Sequence, residues 1–416
     1  MSVRTKASPR PLRGPVPPRG AVPTRATVPR RRRAVRRRWR RVVVLGALFT
    51  LLPGLVSYVG MLGQPSDTSL GIRSVEWLRD NGARGLVDRV ESAYYSMNAP
   101  ATGGPPLRAL PRQSSVGSVG AAARARAAGG AGAAARARGG GIQIYRPAPI
   151  APLITPALPG EGTWRATFAG GGSQPPVLVT SFRPDPNYPQ MVAGVAWIDS
   201  SRTSTWLYPG RQEPSVAMAA RGPMEVPARR RGQLVATFNS AFKLSDSGGG
   251  FASGGHTYAP LKNGMATILR YRDGRLDIRS WTGGPDIGAD VVYARQNLPL
   301  IVDNGQLNPN LADGPQWGVT LGNAIRVWRS GLGIDARGNL IYAVADDQTV
   351  GSLAEILRHA GAVRAMELDI NTYWPSFITY RAPGAVHPAN LLPGMDRSPY
   401  RYLTPDDRDF FAVYIK

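Results

Sequence analysis

The chain has 416 residues and no cysteine, and its formal net charge is +24. The charge is concentrated: residues 1–41 hold 15 Lys and Arg, residues 99–141 hold six Arg, and neither segment contains an acid. This distribution indicates membrane topology and linker chemistry rather than a groove for nucleic acid. The absence of cysteine excludes disulfides, thiol nucleophiles and cysteine-ligated metals.

Residues 42–62 form an uncharged apolar run of 21 residues, and about 20 suffice for a helix to span a bilayer. Arginines precede this run, and Asp67 is the first charge after it. The positive-inside rule therefore predicts a single-pass protein of the cell membrane. Residues 1–41 would form its cytoplasmic tail, and the C-terminal domain would be extracellular or periplasmic. A cleaved signal peptide and a buried core helix are the alternatives, and the long leader favours an uncleaved anchor.

Residues 63–98 show apolar positions at helical spacing, interrupted by Asn81-Gly82. This juxtamembrane segment is predicted to form two short helices, with a plain spacer as the alternative. Residues 99–141 are rich in Gly, Ala, Pro and Arg, which predicts a disordered linker.

Residues 142–416 alternate short apolar runs with turn signals. The pattern predicts a strand at 233–238 and hairpins around 272–275 and 335–338. One helix is expected at 352–360, with Ser352 and Glu355 as a capping box and Gly361 at its end. Many strands and few helices predict an α+β domain of mixed or antiparallel sheets.

A glycine-rich loop at 247–256 follows the predicted strand exit at 238–242. Glycines allow backbone N–H groups to approach an anion closely, although an ordinary flexible loop is the favoured explanation of the composition. His256 closes this loop, and a structural role is its alternative. The loop is neither a P-loop nor a dinucleotide fingerprint, and no histidine pair has zinc-site spacing. No cofactor and no metal site are predicted.

Charged residues at strand ends are the candidates for chemistry. Asp303 follows an apolar strand, although Asp-Asn-Gly is also an ordinary turn. Arg329 begins a strand, where a guanidinium grips a phosphate through two parallel hydrogen bonds, or is simply a surface arginine. Glu367, Asp369 and Asn371 would share one face of a strand, with the apolar residues between them facing the core. Paired carboxylates in unlike environments serve glycosidic cleavage, whereas a solvated strand face is the plain alternative.

Taken in chain order, these segments resemble the phosphodiester glycosidase family. The family's N-[GS]-x-F element is matched by 239–242, and its Arg-x-x-x-G-[ILV]-x-x-x-G hairpin by 329–338. Its Leu-Asp-Gly-Gly-Gly-Ser element is matched only at Leu368-Asp369, because Ile370-Asn371-Thr372-Tyr373 replaces the rest. Glu367 adds a carboxylate that the family pattern does not contain. The similarity covers about residues 230–380.

The resemblance implies hydrolysis of a sugar-1-phosphodiester, with a cell-envelope glycan as the expected substrate. It implies that Arg329 binds the phosphate, and that Asn239 and the loop around Gly254 hold sugar and phosphate oxygens. Asp369 would act as general acid or base, with Glu367 or Asp303 as partner. The remaining expected substrate-binding residues are His256, Asn371 and Trp374.

Two other functions remain open. A non-catalytic protein would bind envelope glycans in the same cleft, with Tyr373 and Trp374 as stacking platforms. A scaffold would use the helices at 69–96 to bind a membrane partner.

Overall fold

The computed structural model describes residues 30–112, 145–167, 175–318, 325–381 and 384–416. The chain divides into two compact units, one ending at Leu62 and the other beginning at Gly63. In the first unit, helix α1 (Arg30–Leu62) contains Pro53. Its stretch Arg36–Leu62 is long and apolar enough to cross a membrane, and no second helix in the described ranges meets this criterion. The model is thus compatible with a single-pass anchor; residues 1–29 of the expected tail lie outside the described ranges.

The second unit opens with two short helices, α2 (Leu70–Leu78) and α3 (Arg84–Met97). They are separated at Asn81 and Gly82, where Gly82 adopts a φ of +90° that favours glycine. Residues 99–112 follow without helix or strand, and the Gly103 amide donates to the Asn187 carbonyl over 2.8 Å. Residues 113–141 of the predicted linker lie outside the described ranges.

The rest of the second unit is mainly β-structure, with helices α4 (Leu244–Ser247) and α5 (Val350–His359). The strands in chain order are β1 (Arg165–Ala166), β2 (Val177–Phe182), β3 (Ala193–Ile198), β4 (Thr203–Tyr208), β5 (Leu234–Asn239), β6 (Phe251–Ser253), β7 (His256–Ala259), β8 (Ala266–Tyr271), β9 (Leu276–Ser280), β10 (Val291–Gln296), β11 (Val302–Asp303), β12 (Gln306–Leu307), β13 (Val327–Ile334), β14 (Leu340–Gln348), β15 (Arg364–Ile370), β16 (Phe377–Arg381), β17 (Val386–Asn390) and β18 (Phe410–Ile415).

These strands form three sheets. Their orders are β1-β2-β3-β14-β13-β15-β11-β12, β7-β6-β10-β8-β9 and β17-β16-β5-β18-β4. Every pairing between described strands is antiparallel. The predicted α+β class is confirmed.

Helix α5 packs on the eight-stranded sheet over Gly331. A Cβ at Gly331 would lie 2.7 Å from the Leu357 side chain, so glycine is what allows the helix this close. The expected capping box at Ser352 and Glu355 is wrong, because the helix begins one turn earlier. Thr349 is the N-cap and exchanges hydrogen bonds with Ser352. Sequence alone places helix ends poorly when two hydroxyl residues lie three positions apart.

Strand β15 carries an irregularity that the alternation pattern did not predict. Gly331 lies opposite Glu367 and Arg329 lies opposite Ile370, so β15 has one extra residue at this point. Met366 therefore packs into one core cluster, whereas Ile370 contacts the other. A bulge of this kind re-aims the side chains that follow it, so the expected common face of Glu367, Asp369 and Asn371 is wrong.

Candidate active site

A cavity lies at the C-terminal end of β15, where three of the sequence candidates meet. Asp369, Asn371 and Trp374 all line it. The other lining residues come from the end of β15, from α4 and the loop before it, from the segment after β12, from the entry to β18, and from the N-terminal helical segment. They are Glu76, Arg79, Arg84, Glu91, Phe242, Lys243, Asp246, Gly318, Ile370 and Arg408.

Asp369 is the most constrained carboxyl group in this cavity. It is 6% exposed, and its Oδ2 accepts a hydrogen bond of 3.0 Å from Arg408 Nη2. Its backbone is fixed on both sides by the Ser330 hydroxyl, over 3.1 and 3.2 Å. Burial raises the pKa of Asp369 to about 7, against the opposing charge of Arg408. This carboxyl group therefore holds and releases a proton near neutral pH.

Arg408 is the residue that sequence reasoning missed. Its guanidinium also donates to the Ala241 carbonyl over 3.1 Å and lies 4.7 Å from the centre of the Trp374 ring. Burial lowers its pKa, but nearby carboxylates, first of all Asp369, raise it above the ordinary value, so it stays charged. The available signal was the dense run Asp406-Asp407-Arg408-Asp409 directly before an apolar strand, because such charges are buried only when paired.

Arg408 is supported by a buried charge layer, which consists of Arg295, Asp409 and Glu213. Arg295 donates to Asp409 over 2.8 Å with both side chains fully buried. Glu213 accepts from the Leu244 amide over 3.2 Å, which fixes the start of α4. Burial raises the pKa of Glu213, and the charge of Arg408 opposes this shift. The layer holds Lys243 and Asp246, on either side of Leu244, at the cavity wall.

Asn239 lies behind the cavity rather than in its wall. Its amide donates to the Ser330 hydroxyl over 3.0 Å, and its oxygen accepts from Tyr342 and from the Ser376 amide, each over 2.9 Å. Because Ser330 also fixes the backbone of Asp369, Asn239 positions the carboxyl group indirectly.

Arg329 and Glu367 form a separate ion pair inside the domain. Arg329 Nη1 lies 2.6 Å from Glu367 Oε1, and both side chains are fully buried. Arg329 also donates to the Gln348 carbonyl over 2.7 Å. Burial raises the pKa of Glu367, and Arg329 opposes this shift. The pair lies in the interior of the domain, and neither residue lines the cavity.

Asp303, Gly254 and His256 also lie apart from the cavity. Asp303 is the exposed last residue of β11. Its neighbour Val302 pairs with Ala365, which lies at the opposite end of β15 from Asp369. Gly254 (φ +62°) and an exposed His256 lie at the turn between β6 and β7. Phe251, at the other end of β6, pairs with Arg295 of the buried charge layer. The turn is therefore at the end of β6 that is farther from this layer.

Asn371 stands at a position where the phosphodiester glycosidase pattern has glycine. Its φ is +97°, a left-handed conformation that glycine adopts freely and asparagine tolerates. Its side chain accepts from the Tyr373 amide over 2.9 Å. The chain therefore turns after Asp369 without a glycine.

Within the described ranges, no three His, Asp or Glu side chains are grouped closely enough to hold a metal ion.

The family match covers part of the cavity lining, including Asp369. A family model described as phosphodiester glycosidase matches residues 228–369, and no curated protein matches. Several solved structures are similar to this chain, two of them as follows. One is the catalytic domain of zebrafish N-acetylglucosamine-1-phosphodiester alpha-N-acetylglucosaminidase, auto-inhibited by its pro-peptide. It shows 17% identity and a TM-score of 0.41, over 61% of this chain and 87% of that one. The other is a hypothetical protein from Synechocystis, with 14% identity and a TM-score of 0.36, over 58% of this chain and 62% of that one.

Proposed function

We propose that this protein hydrolyses a sugar-1-phosphodiester, because a family model described as phosphodiester glycosidase matches residues 228–369. The observation that carries the proposal is the buried carboxyl group of Asp369. It is held beside Arg408 in a cavity that also presents Lys243 and a second carboxylate, Asp246.

The proposed reaction breaks the bond between the anomeric carbon and the bridging phosphate oxygen. Water attacks the anomeric carbon, the free sugar keeps the water oxygen, and the phosphate leaves as a monoester. Asp369, protonated in part near neutral pH, donates a proton to the departing oxygen. In that form it also avoids repelling an anionic substrate.

Asp246 is the proposed second carboxylate and activates the water. It lines the same cavity, and its charge contributes to the raised pKa of Asp369, whose largest cause is burial. A glycosidase ordinarily uses a pair of carboxyl groups, one as the acid and one as the base or nucleophile. This assignment replaces the Glu367 and Asp303 partners that the sequence suggested.

The proposed setting is the cell envelope, with the domain anchored by α1 outside the membrane and acting on an envelope glycan. Support comes from the apolar stretch Arg36–Leu62 and from the arginines before it, which by the positive-inside rule stay in the cytoplasm. A nearly neutral domain behind a basic tail fits this arrangement better than a polyanion-binding protein.

The test uses the full chain in detergent with a methyl ester of a sugar 1-phosphate, and release of free sugar is measured. Asp369→Asn is expected to lower kcat by about 10²- to 10⁴-fold. Asp303→Asn is the matched control and is expected to keep the wild-type rate. Equal turnover by wild type and Asp369→Asn would overturn the assignment. Binding of the ester without release of sugar by the wild type would indicate the glycan-binding alternative.

A further inference from the structure

The N-terminal helices close one side of the cavity that contains Asp369. Glu76 of α2 and Arg84 of α3 line the cavity from this side. Glu76 Oε1 lies 3.0 Å from Lys243 Nζ, and Arg84 Nη2 lies 2.9 Å from Asp246 Oδ1. Each ion pair therefore joins the helical segment to the loop that carries the cavity's own charged groups.

The segment is also attached at its N-terminal end. The Thr68 hydroxyl donates to Asp407 over 2.9 Å, and Asp67 accepts from the Asp407 amide over 3.0 Å. The Ser69 amide donates to the Tyr373 hydroxyl over 3.2 Å. Asp407 and Tyr373 are the chain neighbours of Arg408 and Trp374, which line the cavity, so several independent interactions specify the docked position.

Glu76 interacts with two cations of the domain, Lys243 and Arg408. Its carboxylate contacts Lys243. Burial lowers the pKa of Arg408, whereas the negative charges of Asp369, Glu213 and Glu76 raise it. The Nε of Arg408 is buried and has no hydrogen-bond partner within the described ranges. An unsatisfied buried donor on a charged group is costly, and an anion brought close to it supplies the missing partner.

A carboxylate and a phosphodiester present the same recognition features to such cations. Each carries one negative charge shared by two oxygens, and each accepts charge-assisted hydrogen bonds from Lys and Arg. Arg329 is not available for this role because its guanidinium is committed to Glu367 and to the Gln348 carbonyl. Lys243 and Arg408 are the domain's own cations in the cavity wall.

We propose that Lys243 and Arg408 form the phosphodiester-binding subsite, and that Glu76 occupies this subsite when α2 and α3 are docked. The helical pair is then a plug that an anionic substrate displaces by competing with the Glu76 carboxylate. This inference rests on the proposed function for the identity of the natural ligand, but anion binding tests it without any turnover.

The experiment measures binding of dimethyl phosphate, a plain phosphodiester anion, to the full chain in detergent by calorimetry. Removing an internal competitor restores the fraction of chains able to bind, so Glu76→Gln is expected to bind about tenfold more tightly than wild type. Glu91→Gln is the matched control, because Glu91 lines the same cavity but pairs with Arg79 of its own segment. It is expected to bind as wild type does.

Adding Lys243→Gln to the Glu76→Gln variant is expected to abolish the gain, because the subsite then loses a cation. A second readout is tryptic cleavage at Arg79 and Arg84, which dimethyl phosphate is expected to accelerate in the wild type by releasing the helices. Unchanged binding by Glu76→Gln, with cleavage insensitive to the anion, would overturn the plug. Weaker binding by Glu76→Gln would show instead that the helices complete the subsite. A chain that binds dimethyl phosphate as expected but releases no sugar would contradict only the proposed hydrolysis.

Discussion

Asp369 Oδ2 accepts a hydrogen bond of 3.0 Å from Arg408 Nη2, although the two residues are 39 positions apart in the chain. The family match ends at Asp369, so half of this pair comes from outside the matching segment. Arg408 opposes the burial that raises the pKa of Asp369. The charge state of the cavity therefore depends on a residue that lies outside the matched segment.

The first prediction concerns the pH dependence of sugar release. Burial raises the pKa of Asp369 to about 7, so the protonated form is dominant below that value and is lost above it. If Asp369 is the proton donor, kcat/KM is expected to fall as the pH rises through about 7. Because the charge of Arg408 lowers this pKa, Arg408→Gln is expected to move the falling limb to higher pH.

The measurement is a pH–rate profile of both proteins under subsaturating substrate. His256→Ala serves as the control, since His256 is exposed at the β6–β7 turn, and its profile is expected to match the wild type. If kcat/KM falls at the same pH in Arg408→Gln as in the wild type, another group controls the pH dependence.

The second prediction separates structural from catalytic carboxylates. Glu367 and Arg329 are fully buried and paired over 2.6 Å, and removal of one partner leaves a buried charge without compensation. Glu367→Leu is expected to lower the free energy of unfolding by about 3–5 kcal/mol. The double variant Glu367→Leu with Arg329→Met is expected to recover most of this loss, because no charge remains buried.

Chemical denaturation checks this prediction, with Asp303→Asn as an exposed-carboxylate control. If Glu367→Leu is as stable as wild type but inactive, Glu367 acts in the reaction and the support role is refuted.

The sequence identified Asp369, Asn371 and Trp374 as site candidates because they lie close together in one segment, at the end of a predicted strand and just after it. All three line the cavity. It misplaced Glu367, because alternation along a strand assumes regular pairing and the extra residue of β15 breaks that pairing. It also missed Arg408. This residue lies 39 positions after Asp369 and just before β18, which pairs with β5. Contacts between strands distant in the chain leave no local pattern. For the same reason, the spacing at 69–96 predicted two helices without indicating the surface on which they dock.

The third prediction concerns the support behind the cavity. Asn239 accepts hydrogen bonds from the Tyr342 hydroxyl and the Ser376 amide and donates one to Ser330. Asn239→Ala removes the acceptor of the Tyr342 hydroxyl and the Ser376 amide, at a cost of about 1–3 kcal/mol for each. Because Ser330 fixes the backbone of Asp369, turnover is expected to fall while KM changes little.

Thermal unfolding and steady-state kinetics of Asn239→Ala and Asn239→Asp test this role. Asn239→Asp keeps the acceptor oxygen for Tyr342 and Ser376, so it is expected to retain more stability than the alanine variant. A large rise in KM at unchanged kcat would instead place Asn239 in contact with the substrate.

The last prediction concerns the attachment of the N-terminal helices and rests on Asp67. Its carboxyl group faces Arg397, Arg211, Asp406 and Asp407. Burial and the neighbouring Asp406 raise its pKa to about 7, against the opposing charge of Arg397. The docked segment therefore keeps a proton on Asp67 at pH values where the free segment is already ionised. Docking binds protons, so it is favoured below about pH 7 and weakens as the pH rises towards that value.

We expect tryptic cleavage between α2 and α3 to be faster at pH 8 than at pH 6, after normalisation to an unfolded reference peptide. Asp67→Asn removes the titrating proton but keeps a polar side chain, so its normalised cleavage rate should depend much less on pH. Asp80→Asn, an exposed change in the turn itself, should keep the wild-type dependence. If Asp67→Asn and wild type show the same pH dependence, other carboxyl groups control release. Glu91 would be examined next, because burial raises its pKa as well, against the charge of Arg79.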